Sequence, residues 1–270
     1  MTGVGIVFDI GGTKTRVGKV VAGHLEKAET YRTPRSPKEG MEKLAEAAKT
    51  LLGSDPVSAI AGGAPGTVEN GVLVRAHNLP KWAGTDIADE LGRAFPGAPA
   101  TLMNDTEMAA LGEYHFGAGK GERDMLYVTV STGVGGAHVV DGDIDKGRYN
   151  AEIGHQIVGR GELEDQISGT AVEKRYGKPS KEIDDPIILN ELADTLAKGL
   201  YDNVLHWSPE TIVLGGAMIV GQNAIPLDRV ETTLTKMLKE YYPSAPRIKK
   251  AMLGDHGGLY GGVAYLERSV

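Results

Sequence analysis

The stretch GIVFDIGGTKTRVGKVV, residues 5–21, decides how this chain is read. GIVFDI (5–10) is an apolar run, GGTK is a turn, and TRVGKVV (15–21) returns with strand-like alternation, so the segment reads as a hairpin closed by a glycine pair. The pattern recurs where MLYVTV (125–130) turns through STGVGG (131–136) and returns as AHVVDGD. Laying DIGGT on STGVG puts Asp9 on Ser131, an offset of 131 − 9 = 122 residues. A repeated strand, glycine turn, strand and later helix implies two related α/β halves with a cleft between them.

The remaining segments fit that frame. KEGMEKLAEAAKTLL (38–52) keeps Met41, Leu44, Ala45, Ala48, Leu51 and Leu52 on one helical face. VSAIAGGAPG (57–66) reads as a buried strand running into a glycine-rich loop, and NDTEMAALGEYHFG (104–117) as a capped helix ending near Gly117. GGLYGGVAYLERSV (257–270) is a last helix with small residues on one face for close packing. The border between the halves is expected near residues 105–120.

Composition narrows the function. A chain of 270 residues makes one large α/β domain or two modest ones. Its 29 basic and 36 acidic residues leave a charge of −7, the wrong sign for a nucleic-acid footprint. The absence of cysteine excludes disulfides, thiolate zinc and thiol catalysis. Glycine, at 38 of 270, is about twice its usual share of roughly 7%, which points to tight turns and close backbone approach. MTGVGIVFDI lacks a basic signal-peptide start, and no apolar run nears the ~20 residues of a membrane span, so a cytoplasmic enzyme without membrane contact is expected.

There is no GxxxxGK[ST] and no strand-borne G-x-G-x-x-G, so P-loop and dinucleotide folds lack support. DIGGTKT (9–15) can turn backbone N–H groups toward a phosphate, with Thr13 and Thr15 as added donors and Asp9 reaching Mg²⁺ directly or through water. The same string is also what a plain Gly-Gly turn with a capping Asp looks like. In LMNDTEMAALGE (102–113), Asn104 and Asp105 stand where a strand meets a helix. Such residues are ordinary N-caps, and a carboxylate there can equally take a proton from a hydroxyl nucleophile. AEIGHQIV (151–158) sets Glu152 and His155 around a glycine, where a satisfied core histidine would look the same; with Asn78, Asn104 and Asp105 they form a set able to read vicinal diols, and Glu164 adds a carboxylate equally at home in a solvated surface run.

Taken together, DIGGTKT, APGTV (64–68), NLPKW (78–82), LMNDTEMAALGE, STGVGG, EIGH, LEDQISGTA (163–171) and VLGGA (213–217) resemble the ROK sugar kinases of the hexokinase, actin and Hsp70-like superfamily. The resemblance implies an α/β fold of two ribonuclease-H-like (actin-like ATPase) domains with an interdomain active-site cleft. The expected division is 1–107 plus 255–270 for the smaller domain and 108–254 for the larger. It implies ATP and Mg²⁺ as cofactors, with Asp105 as the base that deprotonates a hexose 6-hydroxyl. Gly66, Asn78, Asn104, Glu152, His155 and Glu164 match sugar-contacting positions. Asp9, Gly11, Gly12, Thr13 and Lys14 match the first phosphate loop, Thr132, Gly133 and Gly135 the second, and Gly215 and Gly216 the adenosine loop.

The family's cysteine-rich zinc stretch is replaced here by GRGELE, so no structural zinc is expected and the loop near Glu164 must be held by packing or a neighbouring subunit. Family repressors carry a helix-turn-helix before the first loop; with that loop starting at Asp9, the repressor branch is not expected. The resemblance favours a homodimer that phosphorylates glucose. Polyphosphate-dependent glucokinase, a kinase of N-acetylmannosamine or another hexose, and a non-catalytic sugar-binding relative are the alternatives.

Overall fold

The structure, a computed structural model, describes residues 3–269. In chain order the first hairpin is β1 (Val4–Ile10) and β2 (Lys14–Val21), followed by β3 (His24–Arg32), α1 (Pro37–Leu52) and β4 (Val57–Ala64). Three short strands come next, β5 (Thr67–Glu69), β6 (Val72–Arg75) and β7 (Thr85–Asp86), then α2 (Ile87–Ala94), β8 (Ala100–Asn104) and α3 (Asp105–Phe116). The second hairpin is β9 (Asp124–Val130) and β10 (Val134–Val140), with β11 (Asp143–Ile144), β12 (Ile157–Val158) and β13 (Gly161–Glu162) behind it. The chain finishes with α4 (Glu164–Ile167), α5 (Gly169–Tyr176), α6 (Pro186–Trp207), β14 (Thr211–Gly215), α7 (Ala217–Val220), α8 (Leu227–Leu238), β15 (Arg247–Lys250) and α9 (Gly257–Ser269).

These elements form two compact units. Unit one holds the chain up to Phe116, Lys146–Asn150, and the chain from Asp255 onward; unit two holds Gly117–Asp145 and Ala151–Gly254. Each is built on one five-stranded sheet, ordered β3-β2-β1-β4-β8 in unit one and β11-β10-β9-β14-β15 in unit two. In both, the first three strands are antiparallel and the last two join in parallel. The repeat seen in sequence is thus a repeat of topology, with one adjustment of register. β1 and β9 share the same burial sequence at an offset of 120, whereas Thr15 of β2 answers Val134 of β10 at 119. Ile10 pairs with Thr15 but Val130 pairs with Val134, so the first turn is one residue longer. Matching glycines had placed Asp9 on Ser131; matching strands places it on Thr129.

The cores follow from the strand patterns. In unit one Ile6, Phe8 and Ile10 of β1 pack with Leu44 and Ala48 of α1, the face the helical periodicity had marked. In unit two Leu126, Val128 and Val130 of β9 pack with Leu196 and Leu200 of α6, a helix started by the Asp185 N-cap and Pro186. The expected domain cut at 107/108 falls inside α3, and the whole helix stays with unit one. The reason is contact between glycines: a Cβ on Gly112 would strike the Gly257 carbonyl of α9, and one on Gly261 would strike the Met108 carbonyl of α3. Among the described residues, no helix is long and apolar enough to cross a membrane.

Candidate functional site

In unit one, Asp9 faces Arg16 directly across the hairpin. Arg16 donates to Asp9 Oδ2 at 3.2 Å and, from its other terminal nitrogen, to Asp255 Oδ2 at 2.6 Å. The start of α9 presses on the same carboxyl, since a Cβ on Gly258 would stand 2.9 Å from Asp9 Cγ. Burial outweighs the guanidinium and pushes the Asp9 carboxyl up to about 6. A half-buried carboxylate whose one guanidinium partner does not offset the cost of burial, with oxygen ligands to offer, fits a hard cation such as Mg²⁺. Among the described residues no group of three or more His, Cys, Asp or Glu is placed to hold a metal ion by itself.

The first turn is braced rather than loose. Gly11 donates its N–H to the Lys14 carbonyl at 2.9 Å, and Thr33 Oγ1 donates to the Gly11 carbonyl at 2.7 Å. Neither Gly11 nor Gly12 takes positive φ, so the glycine pair is there for room and not for turn geometry. A Cβ on Gly12 would come within 3.0 Å of Asn78 Cβ, which sets one predicted sugar contact against the first glycine turn. Asn78 is seated by its neighbours: Leu79 and Trp82 are buried, and the indole N–H donates to the Pro34 carbonyl at 3.1 Å.

The strand-to-helix corner is a complete capping box. Asn104 Oδ1 accepts the N–H groups of Thr106 at 2.8 Å and Glu107 at 3.2 Å, while Glu107 Oε2 accepts the Asn104 N–H at 3.3 Å. Asn104 Nδ2 donates to the Gly66 carbonyl at 2.8 Å. Gly66 sits at φ +115°, where a Cβ would strike the Arg75 carbonyl, so only glycine makes this bend. Asp105 is therefore the first residue of α3 and Asn104 its cap. Asn104 commits its carbonyl and one N–H within the protein, which leaves a single N–H for a ligand. Buried Glu107 is paired with Lys146 at 3.3 Å.

In unit two the second turn brings two predicted subsites together. Glu164 Oε2 accepts the Val134 N–H at 2.7 Å and lies against Gly133, where a Cβ would come within 2.5 Å of it. One oxygen of a predicted sugar contact is thus committed to the predicted phosphate loop. Thr132 receives the Thr170 hydroxyl on its carbonyl at 2.8 Å, and Gly169 N–H donates to the Ser131 carbonyl at 2.7 Å. His155 Nδ1 is 2.6 Å from Glu162 Oε2, and its Nε2 is 4.0 Å from Glu152 Oε2. The hydrogen bond to Glu162 and the nearby carboxylates raise the His155 pKa above its ordinary value. Gly215 ends β14, and Gly216 follows at φ +85°, where a Cβ would meet the Val130 carbonyl.

This chain has two topologically repeated units, each with a glycine turn between its first two strands. The ROK family model matches residues 5–269. The chain belongs to the ROK family. A ROK hexokinase from Thermus thermophilus has 29% identity and a TM-score of 0.84, with 98% of each chain covered. A ROK family glucokinase from Streptomyces griseus, solved with glucose and AMPPNP, has 27% identity and a TM-score of 0.80, covering 98% of this chain and 99% of that one. A fructokinase of Zymomonas mobilis is 33% identical over 211 residues, 69% of each chain. This likeness carries the two-domain actin-like ATPase fold and the sugar-kinase family to the chain.

Several partners were not found in the sequence. Arg16 was discoverable, because hairpin register alone sets it opposite Asp9. Glu107 was visible as the fourth residue of an N-x-x-E box. Asp255 beside Asp9 and Lys146 beside Glu107 in unit one, and Glu162 beside His155 in unit two, carry no signal of that pairing in sequence; packing within each unit supplies it.

Proposed function

We propose that this ROK protein transfers the γ-phosphoryl group of ATP to the 6-hydroxyl of a hexose, with glucose the first candidate. The observation that carries the reading is the Asn104–Glu107 capping box, which presents Asp105 at the head of α3 in a chain matching the family from end to end. Asp105 accepts the hydroxyl proton as the sugar oxygen bonds to phosphorus and the bond to the ADP oxygen breaks. Gly66, Asn78 and Asn104 of unit one, with Glu152, His155 and Glu164 of unit two, offer the donors and acceptors that fix sugar hydroxyls. Gly12, Thr13 and Lys14, on a turn that Gly11 leaves bare of side chain, and Thr132, Gly133 and Gly135 supply donors for phosphate oxygens, while Gly215 and Gly216 let an adenosine approach backbone. Asp9 is the residue that would hold Mg²⁺, directly or through water; bound with nucleotide, the ion neutralises phosphate charge.

Positioning and charge neutralisation do the work in this reaction class, since phosphoryl transfer asks little covalent chemistry of the protein. The test is Asp105→Asn. Turnover is expected to vanish while sugar still binds; wild-type turnover in that variant sinks the assignment.

A further inference from the structure

We propose that Gln166 is a positioning residue for the sugar end of the site, acting through the short β12–β13 hairpin on His155. The inference rests on the sugar-kinase reading for what His155 contacts, and on unit-two geometry for everything else.

Gln166 Nε2 donates to three backbone carbonyls at once: Val158 at 2.8 Å, Gly161 at 3.0 Å and Glu162 at 3.1 Å. Three acceptors can converge only on the nitrogen end of the amide, and its two hydrogens are shared among them. The hairpin they belong to has two residue pairs, Ile157↔Glu162 and Val158↔Gly161. Such a ribbon is marginal in water: Val158 is buried in the core, but Ile157 is 67% exposed, so burial anchors β12 at one residue and leaves β13 to its hydrogen bonds. Gln166 ties both of its strands to α4. The far end of β13 is Glu162, whose carboxylate fixes the imidazole of His155. From the same short helix Glu164 reaches the Val134 N–H of the second glycine turn. One amide therefore sets the hairpin, and through Glu162 the ring, relative to the phosphate loop.

Two substitutions separate positioning from bulk stability. Gln166→Leu keeps the size and removes the donor, leaving three carbonyls without it. The expected result is a sugar KM about tenfold higher or more, with kcat and nucleotide KM within about threefold of wild type. Gln166→Glu places a carboxylate against the same carbonyls, and repulsion makes it at least as poor as Gln166→Leu above neutral pH. As pH falls the acid regains a donating O–H, and its sugar KM is expected to recover toward wild type. The surrounding ionisable groups, His155, Glu152, Glu162 and Glu164, are the same in both variants, so recovery in Gln166→Glu and not in Gln166→Leu isolates the clamp.

A double-mutant cycle with Glu162→Ala checks the route: effects on sugar KM are expected to be strongly non-additive if Gln166 acts through Glu162. Full additivity, or an unchanged sugar KM in folded Gln166→Leu, overturns the proposal. Amide hydrogen exchange over residues 157–162 reads the clamp without any turnover, and faster exchange is expected in Gln166→Leu. Unchanged exchange there overturns the clamp even in an active enzyme. Faster exchange in a protein that turns over no sugar upholds the clamp and faults the sugar-kinase reading instead.

Discussion

Replacing Asp9 with asparagine should stabilise the fold at neutral pH while abolishing turnover. The carboxyl sits near 6 in the folded chain against an ordinary 3.8. The gap of 2.2 pH units, at about 1.4 kcal/mol each, sets a ceiling of about 3 kcal/mol on the cost of keeping this group charged when folded. The sign follows from proton uptake: a raised carboxyl binds its proton more tightly folded than unfolded, so acid favours the folded state. Between about pH 7 and about pH 5 wild type should gain roughly 1.4 kcal/mol from this group, and Asp9→Asn should not. Urea unfolding of both proteins at both pH values reads the double difference. Arg16 keeps Asp255 in the variant, which limits the loss from the broken pair. An Asp9→Asn that is less stable at pH 7, or a difference between the proteins that does not shrink toward pH 5, would refute the reasoning.

Further outcomes follow from other contacts. Asn104→Ala should lose about 1–2 kcal/mol as the α3 cap goes, and should lower kcat by more than that loss explains; Asn104→Asp keeps the cap acceptor but sets a carboxylate oxygen against the Gly66 carbonyl, and should recover only part of the stability in thermal melts. Gly261→Ala sets a methyl against the Met108 carbonyl and should cost about 3 kcal/mol or more, whereas Gly92→Ala, with nothing within 4 Å, should stabilise α2 by up to about 1 kcal/mol. By NMR the His155 ring should titrate above the usual histidine value and fall back toward it in Glu162→Ala. The pairing stabilises the fold below that usual value and fades as pH rises through the raised one.

Most of the fold was legible because both hairpins carry their turn chemistry and alternation in plain sequence, and helices such as α1 carry a strong face. The register between the repeats was not, because glycines mark turns and say nothing of how many residues a turn holds. Asp9, Asn104 and Asp105 stand out in sequence as candidates because they fall at a strand end and a helix start, the positions where a polar group either caps or faces a ligand. What each already binds was hidden: Asn104 spends most of its hydrogen bonds on its own helix, and Glu164 spends an oxygen on Val134. Arg16 shows the middle case, where cross-strand pairing was available from the hairpin and only its second partner, Asp255, needed the fold. Gln166 sits in a recognised stretch, LEDQISGTA, yet nothing there marks the glutamine itself, and its three acceptors come from a hairpin too short to predict.

The most direct test of the account is sugar-dependent ADP release from Mg-ATP across hexoses and N-acetylhexosamines, with inorganic polyphosphate as a second donor. The account predicts selective turnover of one or a few hexoses with ATP, glucose foremost, lost in Asp105→Asn. Sugar binding without phosphoryl transfer from either donor would contradict it, and turnover with polyphosphate alone would overturn the choice of ATP.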